Sequence, residues 1–430
     1  MKTIARDLYL KRLISRRENG SIKVITGVRR CGKSYLLFNL YRNYLLSTGV
    51  REEQIVSLAL DDDANRQYRD PDALSAFLQA AVKDRGAMVY VLLDEVQLAI
   101  SDEELKGGGP VRLYGILNGL LRRSNVDVYV TGSNSKFLSS DILTEFRGRG
   151  DEVRVWPLSF AEFMSAYDGD KVGGFAEYSM YGGLPLVIAR KTEEEKSGYL
   201  IDLFENTYKR DVVERNHLRG DTVLENVTDI LASSIGSLTN PKKLADTFCS
   251  HGIRTSDKTV SACIGHLKNA FLISEAKRYD VKGKKYIDSP MKYYFTDVGL
   301  RNARLNFRQQ EQTHILENII FNELLMRGFH ADVGVVERRV KDESGKMRSS
   351  KLEIDFICNK GSQRIYIQSA FAIPDREKMM QEQAAFEQVR DSFKKIIIVQ
   401  QPTKPWYNEN GYLILNAIDF LLDPNSLNSE

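Results

Sequence analysis

The sequence predicts an α/β protein whose first part is built on a mostly parallel β-sheet. Two observations support this fold class: short β-branched runs alternate with helical patterns over the first 156 residues, and the pattern changes to helices after Trp156-Pro157. Alternating strands and helices are what a parallel sheet requires, and right-handed crossovers then follow from chain chirality. The predicted strands are Ile22–Gly27, Gln54–Ala59, Met88–Asp94, Asp127–Thr131 and Glu152–Trp156, with helices near Lys33–Leu46, Pro71–Asp84, Val111–Arg123 and Ser139–Phe146.

Length and composition limit the class of protein. The chain has 430 residues, enough for two to four domains at roughly 150 residues each. Hydrophobic residues make up 42% and charged residues 28%, the balance of a globular protein and not of a disordered or fibrous chain. The longest apolar runs, such as Met88–Leu93, fall far short of the ~20 residues that span a bilayer. Charged residues stand where a signal peptide needs its apolar segment, and the four cysteines lack CxxC spacing, so we expect a cytoplasmic protein with reduced thiols.

One motif carries phosphate-binding chemistry. Residues 27–34 match GxxxxGK[ST] between a predicted strand and a predicted helix. The glycines let backbone N–H groups turn toward a β-phosphate, Lys33 reaches the β/γ oxygens, and Ser34 can ligate magnesium. The alternative is a chance glycine-rich turn. The motif therefore predicts that ATP and Mg²⁺ bind here, and the candidate binding residues are Gly27, Val28, Arg29, Arg30, Cys31, Gly32, Lys33, Ser34 and Tyr35.

An acidic pair follows the third predicted strand. Met88–Leu93 runs directly into Asp94 and Glu95. We expect Asp94 to hold Mg²⁺, directly or through water, together with Ser34. Glu95 is the candidate base that orients and deprotonates the attacking water, because a carboxylate just past the strand end faces the γ-phosphate. The alternative interpretation is a solvated strand end.

Two further candidate catalytic positions lie after the fourth predicted strand. Asn134 is placed to touch the γ-phosphate or the water as a sensor residue, although Gly-Ser-Asn is also turn chemistry. Arg149, or as second choice Arg147, is the candidate arginine finger that completes the site of a neighbouring subunit in an oligomer. Ordinary surface ion pairing is the alternative for both arginines.

These motifs occur together with others along the chain, namely Leu92–Gln97 (Leu-Leu-Asp-Glu-Val-Gln), Thr131–Ser135 (Thr-Gly-Ser-Asn-Ser), Arg147–Arg149 and Pro157–Phe163. With them the chain resembles the prokaryotic AAA-type P-loop ATPases that carry a C-terminal domain of unknown function. The segments Tyr181–Pro185, Tyr208–Val213 and Tyr294–Leu300 extend the resemblance over nearly the whole chain.

The resemblance implies four modules. These are an AAA-type (ASCE) ATPase core over residues 1–156, a small helical lid over 157–220, a winged helix-turn-helix over 221–305, and an α/β domain resembling restriction-endonuclease folds over 306–430.

The third module has a local excess of positive charge. The apolar spacing predicts amphipathic helices over Asn240–Phe248 and Asp257–Asn269. We interpret the lysine-rich turn Lys282–Lys285 as the tip of a wing. Between Pro241 and Leu300, 11 Lys/Arg against 6 Asp/Glu give +5, whereas the whole chain carries +3. This charge suits a surface that contacts DNA phosphates. Winged helices also serve as protein-packing modules, so both readings stay open.

The fourth module lacks part of a nuclease signature. Glu317, Asp355 and the segment Gln368-Ser369-Ala370 follow the chain order of a restriction-endonuclease site. Such a site needs an Asp and an ExK sequence, and the ExK position here holds Gln368 and Ala370. With only Asp355 and Glu317 left as anionic ligands, we expect the fold to persist without cleavage.

The sequence leaves three functional hypotheses. The first is a nucleotide-dependent switch that hydrolyses ATP and engages a protein partner through the C-terminal domain, as a monomer or a homo-oligomer. The second is an ATP-dependent DNA-processing enzyme whose C-terminal domain cleaves or binds DNA. The third is a non-hydrolysing nucleotide scaffold, against which the presence of Asp94, Glu95 and Asn134 argues.

Overall fold

The computed structural model describes residues 3–83, 86–105, 111–132, 148–209, 212–213, 222–309, 311–341 and 347–428. The chain divides into two compact units. The first contains Met1–Pro157 with Asn269–Phe271, and the second contains Leu158–Lys268 with Leu272–Glu430.

A five-stranded sheet forms the centre of the first unit. Its strands are β1 (Ile22–Thr26), β2 (Ile55–Ala59), β3 (Val89–Asp94), β4 (Val126–Thr131) and β5 (Gly150–Arg154), in the order β2-β3-β4-β1-β5. All neighbouring pairs are parallel. The carboxyl ends of β1, β3 and β4 therefore meet at one edge of the sheet, where a parallel α/β sheet places its ligands.

Helices cover both faces of this sheet, as its buried strands require. Their bounds are Asp7–Ile14, Lys33–Tyr35 continuing through a π-helical segment Leu36–Tyr41 into Arg42–Ser47, Pro71–Val82, Asp102–Leu105 and Arg112–Leu121. Strands β1, β3 and β4 are buried along their whole length, which fits a central parallel strand with apolar packing on both sides. One core cluster joins Val24, Val91 and Val128 to the helices Pro71–Val82 and Arg112–Leu121.

The predicted strands of the first unit are observed with small shifts. The largest shift is in β5, predicted at Glu152–Trp156 and observed at Gly150–Arg154. It pairs with β1 from Gly150 opposite Ile22 onward, and the chain leaves the sheet ahead of Pro157, which cannot donate to a ladder. The predicted helix Ser139–Phe146 lies outside the described residues.

An eight-stranded mixed sheet forms the centre of the second unit. Its order is β12-β13-β11-β10-β9-β8-β6-β7. The strands are β6 (Ile273–Asp280), β7 (Lys285–Phe295), β8 (His330–Lys341), β9 (Met347–Lys360), β10 (Gln363–Ala370), β11 (Lys394–Val399), β12 (Trp406–Tyr407) and β13 (Leu413–Asn416). β6 and β7 form an antiparallel hairpin, and β6 also pairs in parallel with β8. The proposed wing and the C-terminal strands thus belong to one sheet.

Helices surround this second sheet at Phe160–Ala166, Lys171–Tyr181, Pro185–Ile188, Glu193–Leu203, Thr222–Ser233, Pro241–Ser250, Asp257–Asn269, Val298–Arg304, Gln312–Met326, Arg376–Glu387 and Ala417–Leu422. Ser159 and Glu162 form a capping box at the start of the helix Phe160–Ala166. The helix that begins at Glu193 continues into a π-helical segment at Phe204–Lys209.

A buried carboxylate locks two loops of the second unit together. Asp297 accepts hydrogen bonds from the backbone N–H of Gly183 at 2.8 Å and of Leu300 at 3.1 Å. Gly182 has φ 73°, and a Cβ there would lie 2.1 Å from Asp297 Oδ1, so only glycine fits. Burial raises the pKa of Asp297 to about 6, although the backbone N–H groups oppose the shift. Nowhere in the described part of the chain does a helix have the length and apolar character needed to cross a lipid bilayer.

Candidate nucleotide-binding site

The loop between β1 and the helix that starts at Lys33 is shaped by its glycines. Gly27 has φ 140°, and a Cβ there would lie 2.1 Å from the carbonyl oxygen of Val155. Gly32 has φ 98° and directly precedes the helix. Both backbone conformations favour glycine, so the loop can bring its N–H groups around a phosphate.

Lys33 lies inside this loop. Its side chain is buried, and Nζ donates to the carbonyl oxygens of Gly27 at 3.1 Å and Val28 at 3.2 Å. These two carbonyls hold the ammonium group beside the loop, where it can exchange them for phosphate oxygens. A charge-assisted contact to phosphate is stronger than a contact to a neutral carbonyl.

Arg6 ties the loop to the end of β5, a role that sequence reasoning missed. The guanidinium is buried and donates to the carbonyl oxygens of Cys31 at 2.9 Å and Trp156 at 2.7 Å. The Cys31 thiol also lies 3.4 Å from the carbonyl oxygen of Val155. Arg6 stands 25 residues before Cys31 in the sequence, outside any motif, so no local signal marks it.

Asp94 ends β3 at the same edge of the sheet and is almost fully buried. Burial raises its pKa, the hydrogen bonds from Thr131 and Ser34 oppose this rise, and the charges of Glu95 and Asp61 add to it. Thr131, the last residue of β4, donates its hydroxyl to Asp94 Oδ1. The sequence analysis did not single out Thr131. Its position could have indicated this role, because it is a polar residue at the end of β4, the strand next to β3. Asp94 is therefore a buried carboxylate whose protein partners are neutral hydroxyls.

Glu95 follows in a strained backbone conformation. Its φ of 50° and ψ of 47° lie in the left-handed region, which is uncommon for a residue with a side chain. Its backbone N–H donates to Thr131 Oγ1 at 3.1 Å, and the side-chain amide of Gln97 donates to its carboxylate. Thr131 thus connects Asp94 and Glu95, and the turn directs the half-buried Glu95 side chain at the carboxyl edge of the sheet.

Of the candidates Asn134, Arg147 and Arg149, the structure describes only Arg149. Asn134 and Arg147 fall outside the described residues. Arg149 is exposed, and its carbonyl oxygen accepts a hydrogen bond from Ile22 N–H at 2.8 Å. Arg149 therefore lies at the amino end of β1, whereas the P-loop follows the carboxyl end of the same strand. Five strand residues at ~3.3 Å each separate the two ends by about 16 Å. The Arg149 side chain cannot span this distance to the P-loop of its own chain. Action in a neighbouring subunit stays a prediction.

The donor set at the carboxyl edge fits Mg²⁺. Ser34 offers an exposed hydroxyl, and Asp94 offers a carboxylate. Magnesium takes oxygen ligands and is usually held by one or two protein groups together with substrate phosphates and water. Among the described residues, no group of three or more His, Cys, Asp or Glu side chains is arranged to hold a metal ion.

Two family models match segments of this chain. Residues 19–164 match the AAA domain, and residues 173–311 match a domain of unknown function (DUF8612). An uncharacterized protein of Haemophilus influenzae is 33% identical over 427 residues, which cover 97% of this chain and 98% of the relative. An uncharacterized protein of Methanocaldococcus jannaschii is 25% identical over 428 residues, covering 96% and 86%. Among solved structures, a Walker-type ATPase of Pyrococcus abyssi covers 70% of this chain and 96% of its own, at 14% identity and a TM-score of 0.49.

The β2-β3-β4-β1-β5 sheet, the loop after β1 and the AAA-domain match define a P-loop ATPase of the AAA type. The chain belongs to the family that it shares with the Haemophilus influenzae protein over almost the full length of both, in which an AAA domain precedes a domain of unknown function.

Proposed function

We propose that this protein is a Mg²⁺-dependent ATP hydrolase that acts as a nucleotide-dependent switch. The observation that carries the proposal is the arrangement at the carboxyl edge of the first sheet. There, Lys33 lies in the loop after β1, and Thr131 at the end of β4 bonds to both Asp94 and Glu95 at the end of β3.

Each group has a chemical role in this proposal. The loop N–H groups and Lys33 bind the phosphates, and Ser34 with Asp94 would hold Mg²⁺, which supplies charge stabilisation on the β- and γ-phosphate oxygens when bound. Glu95 accepts a proton from the attacking water. Thr131 holds the backbone of Glu95 in place. Asn134 remains the proposed sensor of the γ-phosphate.

The proposal is tested by Mg²⁺-dependent phosphate release and by ATP affinity in the same preparations. Glu95→Gln is expected to lower phosphate release about 10²–10⁴-fold, the usual contribution of a positioned base, while ATP affinity is retained. Glu53→Gln, an exposed carboxylate of the same unit, is the matched control and should match the wild type. Phosphate release by Glu95→Gln at the wild-type rate would place the base elsewhere.

Assembly is the next part of the proposal. Because Arg149 lies far from its own P-loop, we assign it a role only in the site of a second copy of the chain. A mixture of Arg149→Ala and Glu95→Gln proteins should then recover some turnover in shared sites. An inactive mixture that demonstrably assembles into oligomers counts against this role. The switch itself would act through a protein partner bound by the C-terminal domain, in the cytoplasm, where the free cysteines of the described residues stay reduced.

A DNA-processing role is a second candidate because of the charge on the β6–β7 hairpin. Lys282, Lys284 and Lys285 are exposed at its turn, and Lys277 is exposed on β6. Such a surface suits phosphate contacts, while a solvated lysine loop is the alternative. In this reading the helix Asp257–Asn269 and the hairpin bind DNA, and the C-terminal domain binds or cleaves it.

Salt dependence separates these readings. If three lysines contact DNA phosphates, the affinity for duplex DNA should fall steeply as the salt concentration rises. In the Lys282→Gln/Lys284→Gln/Lys285→Gln variant, the slope of log K against log[salt] should be shallower by the contribution of about three phosphate contacts. Mg²⁺-dependent hydrolysis with and without duplex DNA gives the functional readout. Stimulation favours the DNA role, and equal rates favour a protein partner.

A further inference from the structure

A series of aromatic and cationic side chains connects the β6–β7 hairpin with β10 in the second unit. Tyr279 on β6 is the register partner of Tyr286 on β7, and their rings meet edge to face with centroids 5.3 Å apart. The Arg364 guanidinium lies over the Tyr279 ring at 5.7 Å and over the Phe393 ring at 5.5 Å. Tyr286, Tyr279, Arg364 and Phe393 therefore form a continuous series of contacts, which we call the aromatic row.

The two ends of the aromatic row are open to solvent. Tyr286 is 55% exposed and Phe393 is 42% exposed. In the middle of the row, Tyr279 is half-buried and packs against the apolar core that contains Tyr366. Exposed rings that belong to one connected group offer a binding surface for a partner with flat apolar faces.

Hydrogen bonds hold the aromatic row in place. Arg364 Nε donates to Asn359 Oδ1 at 2.9 Å, and the Tyr286 hydroxyl donates to Asp332 Oδ2 at 3.0 Å. Side chains that are already fixed lose little conformational entropy when a ligand stacks on them. The row is therefore prepared for stacking before any partner arrives.

The hairpin that carries Tyr279 and Tyr286 is basic. From Lys277 to Asp288 it contains five Lys/Arg against two Asp. One of the two acids, Asp280, is engaged inside the turn, because its Oδ1 accepts hydrogen bonds from the backbone N–H groups of residues 282 and 283. The exposed lysines of the hairpin are Lys277, Lys282, Lys284 and Lys285. The rings and an excess of positive charge thus share one surface.

We propose that the aromatic row and the hairpin lysines bind single-stranded DNA, with bases stacked on Tyr286 and Phe393 and phosphates contacted by the lysines. Aromatic rings and arginine guanidinium groups stack unpaired bases without sequence preference, and neighbouring lysines attract the backbone. The inference rests on the DNA role given above as the second candidate function, and it specifies the form of the DNA.

The rings favour a single strand over a duplex. In a duplex, the faces of each base are covered by the neighbouring base pairs, so exposed rings have no base face to stack on. An unpaired strand presents its base faces and its phosphates together. Lysines alone would serve either form of DNA, whereas Tyr286 and Phe393 serve only the single strand.

The test measures the affinity of the full-length chain for a short fluorescent oligothymidylate by anisotropy over a range of salt concentrations. Tyr286→Ala should weaken binding roughly 5- to 150-fold, the contribution of one stacked base. The slope of log K against log[salt] should stay unchanged, because no phosphate contact is lost. Tyr286→Phe keeps the ring and should bind nearly like the wild type.

Tyr407→Ala is the matched control, because Tyr407 is a 50% exposed tyrosine on β12 at the opposite edge of the same sheet. It should bind like the wild type. Phe393→Ala should weaken binding with an unchanged slope, as Tyr286→Ala does. The Lys282→Gln/Lys284→Gln/Lys285→Gln variant should give the complementary result, with weaker binding and a shallower slope.

A duplex of the same length is measured in parallel, so that this proposal and the DNA role can fail separately. Wild-type affinity for the oligothymidylate in both Tyr286→Ala and Phe393→Ala overturns the proposal. If the lysine variant still loses duplex binding in that case, the DNA role stands without the single strand. Absence of binding to either form overturns the proposal and the DNA role together.

Discussion

Each of the two units contains a buried aspartate, and the two aspartates differ in the side chains that surround them. Asp94 in the first unit faces the hydroxyls of Thr131 and Ser34, whereas Asp355 in the second unit lies in a cluster that contains Lys292. Burial raises the pKa of both carboxyls. A carboxylate with neutral partners still requires a cation from solution, which a nucleotide can bring. For Asp355 the positive charge comes from a lysine of the protein itself.

Lys33→Ala tests the first unit and carries the largest expected effect. The lysine would contact the β- and γ-phosphates, and each charge-assisted contact is worth about 1.5–3 kcal/mol, so ATP binding should weaken by about 3–6 kcal/mol. Isothermal titration calorimetry with Mg²⁺ and ATP measures this loss. Lys83→Ala, an exposed lysine of the same unit, is the control. Unchanged affinity in Lys33→Ala would remove the basis for the nucleotide site.

Lys292→Ala tests the second unit by stability. Removing one partner of a buried ion cluster costs about 3–5 kcal/mol of unfolding free energy, because the other charges stay buried. Urea denaturation at neutral pH measures it, and Lys285→Ala should stay within about 0.5 kcal/mol of the wild type. A loss as small as that of Lys285→Ala would show that Lys292 is not the cation of the cluster.

Arg6→Lys tests whether the P-loop of the first unit depends on the contacts of Arg6. Lysine keeps the charge but cannot bridge the carbonyl oxygens of Cys31 and Trp156 as the planar guanidinium does. We expect a loss of about 1.5–3 kcal/mol, seen as a higher KM for ATP. The kcat should change less, since the bond from Thr131 to Glu95 remains. A fall in stability with unchanged KM would make Arg6 a structural residue only.

Asp297 is a third buried carboxylate, and backbone N–H groups donate hydrogen bonds to it. Its pKa is raised to about 6, above its value in the unfolded chain, so the folded state binds more protons between about pH 4 and 6. Its contribution to stability is therefore present at low pH and is lost as pH rises through about 6, a change of about 2 kcal/mol. Urea denaturation from pH 4 to 7 should show a shallower slope in Asp297→Asn than in the wild type, because the other carboxyls with raised pKa values, such as Asp94, still contribute. Asp246→Asn, exposed in the same unit, should keep the slope.

Much of the first unit could be predicted from the sequence because its signals are local. β1 to β4 are mainly apolar runs with turn signals on each side. Asp94 and Glu95 stand at the end of such a run, and Lys33 belongs to the glycine-rich motif that follows β1. The strands of the eight-stranded sheet in the second unit were harder to predict from the sequence. β8 was not predicted, because its charged Glu337 and Arg338 interrupt the apolar pattern.

The parts of the two sites that sequence reasoning missed depend on contacts between distant residues. Arg6 reaches Cys31, Thr131 reaches Asp94, and Lys292 reaches both Glu317 and Glu353. No spacing rule connects these pairs, because only the fold brings them together. The missing ExK sequence could be read directly, but the contacts of Lys292 with Glu317 and Glu353 could not.

The parallel pairing of β6 with β8 has a mechanical consequence. Val281 N–H donates to Val335 at 3.1 Å, and the ammonium of Lys282 donates to the Glu337 carbonyl at 2.7 Å. These bonds continue the ladder to the tip of the hairpin. The hairpin is therefore joined to β8 by hydrogen bonds as far as its lysine-rich tip, so a displacement of the tip displaces the edge of the C-terminal strands as well.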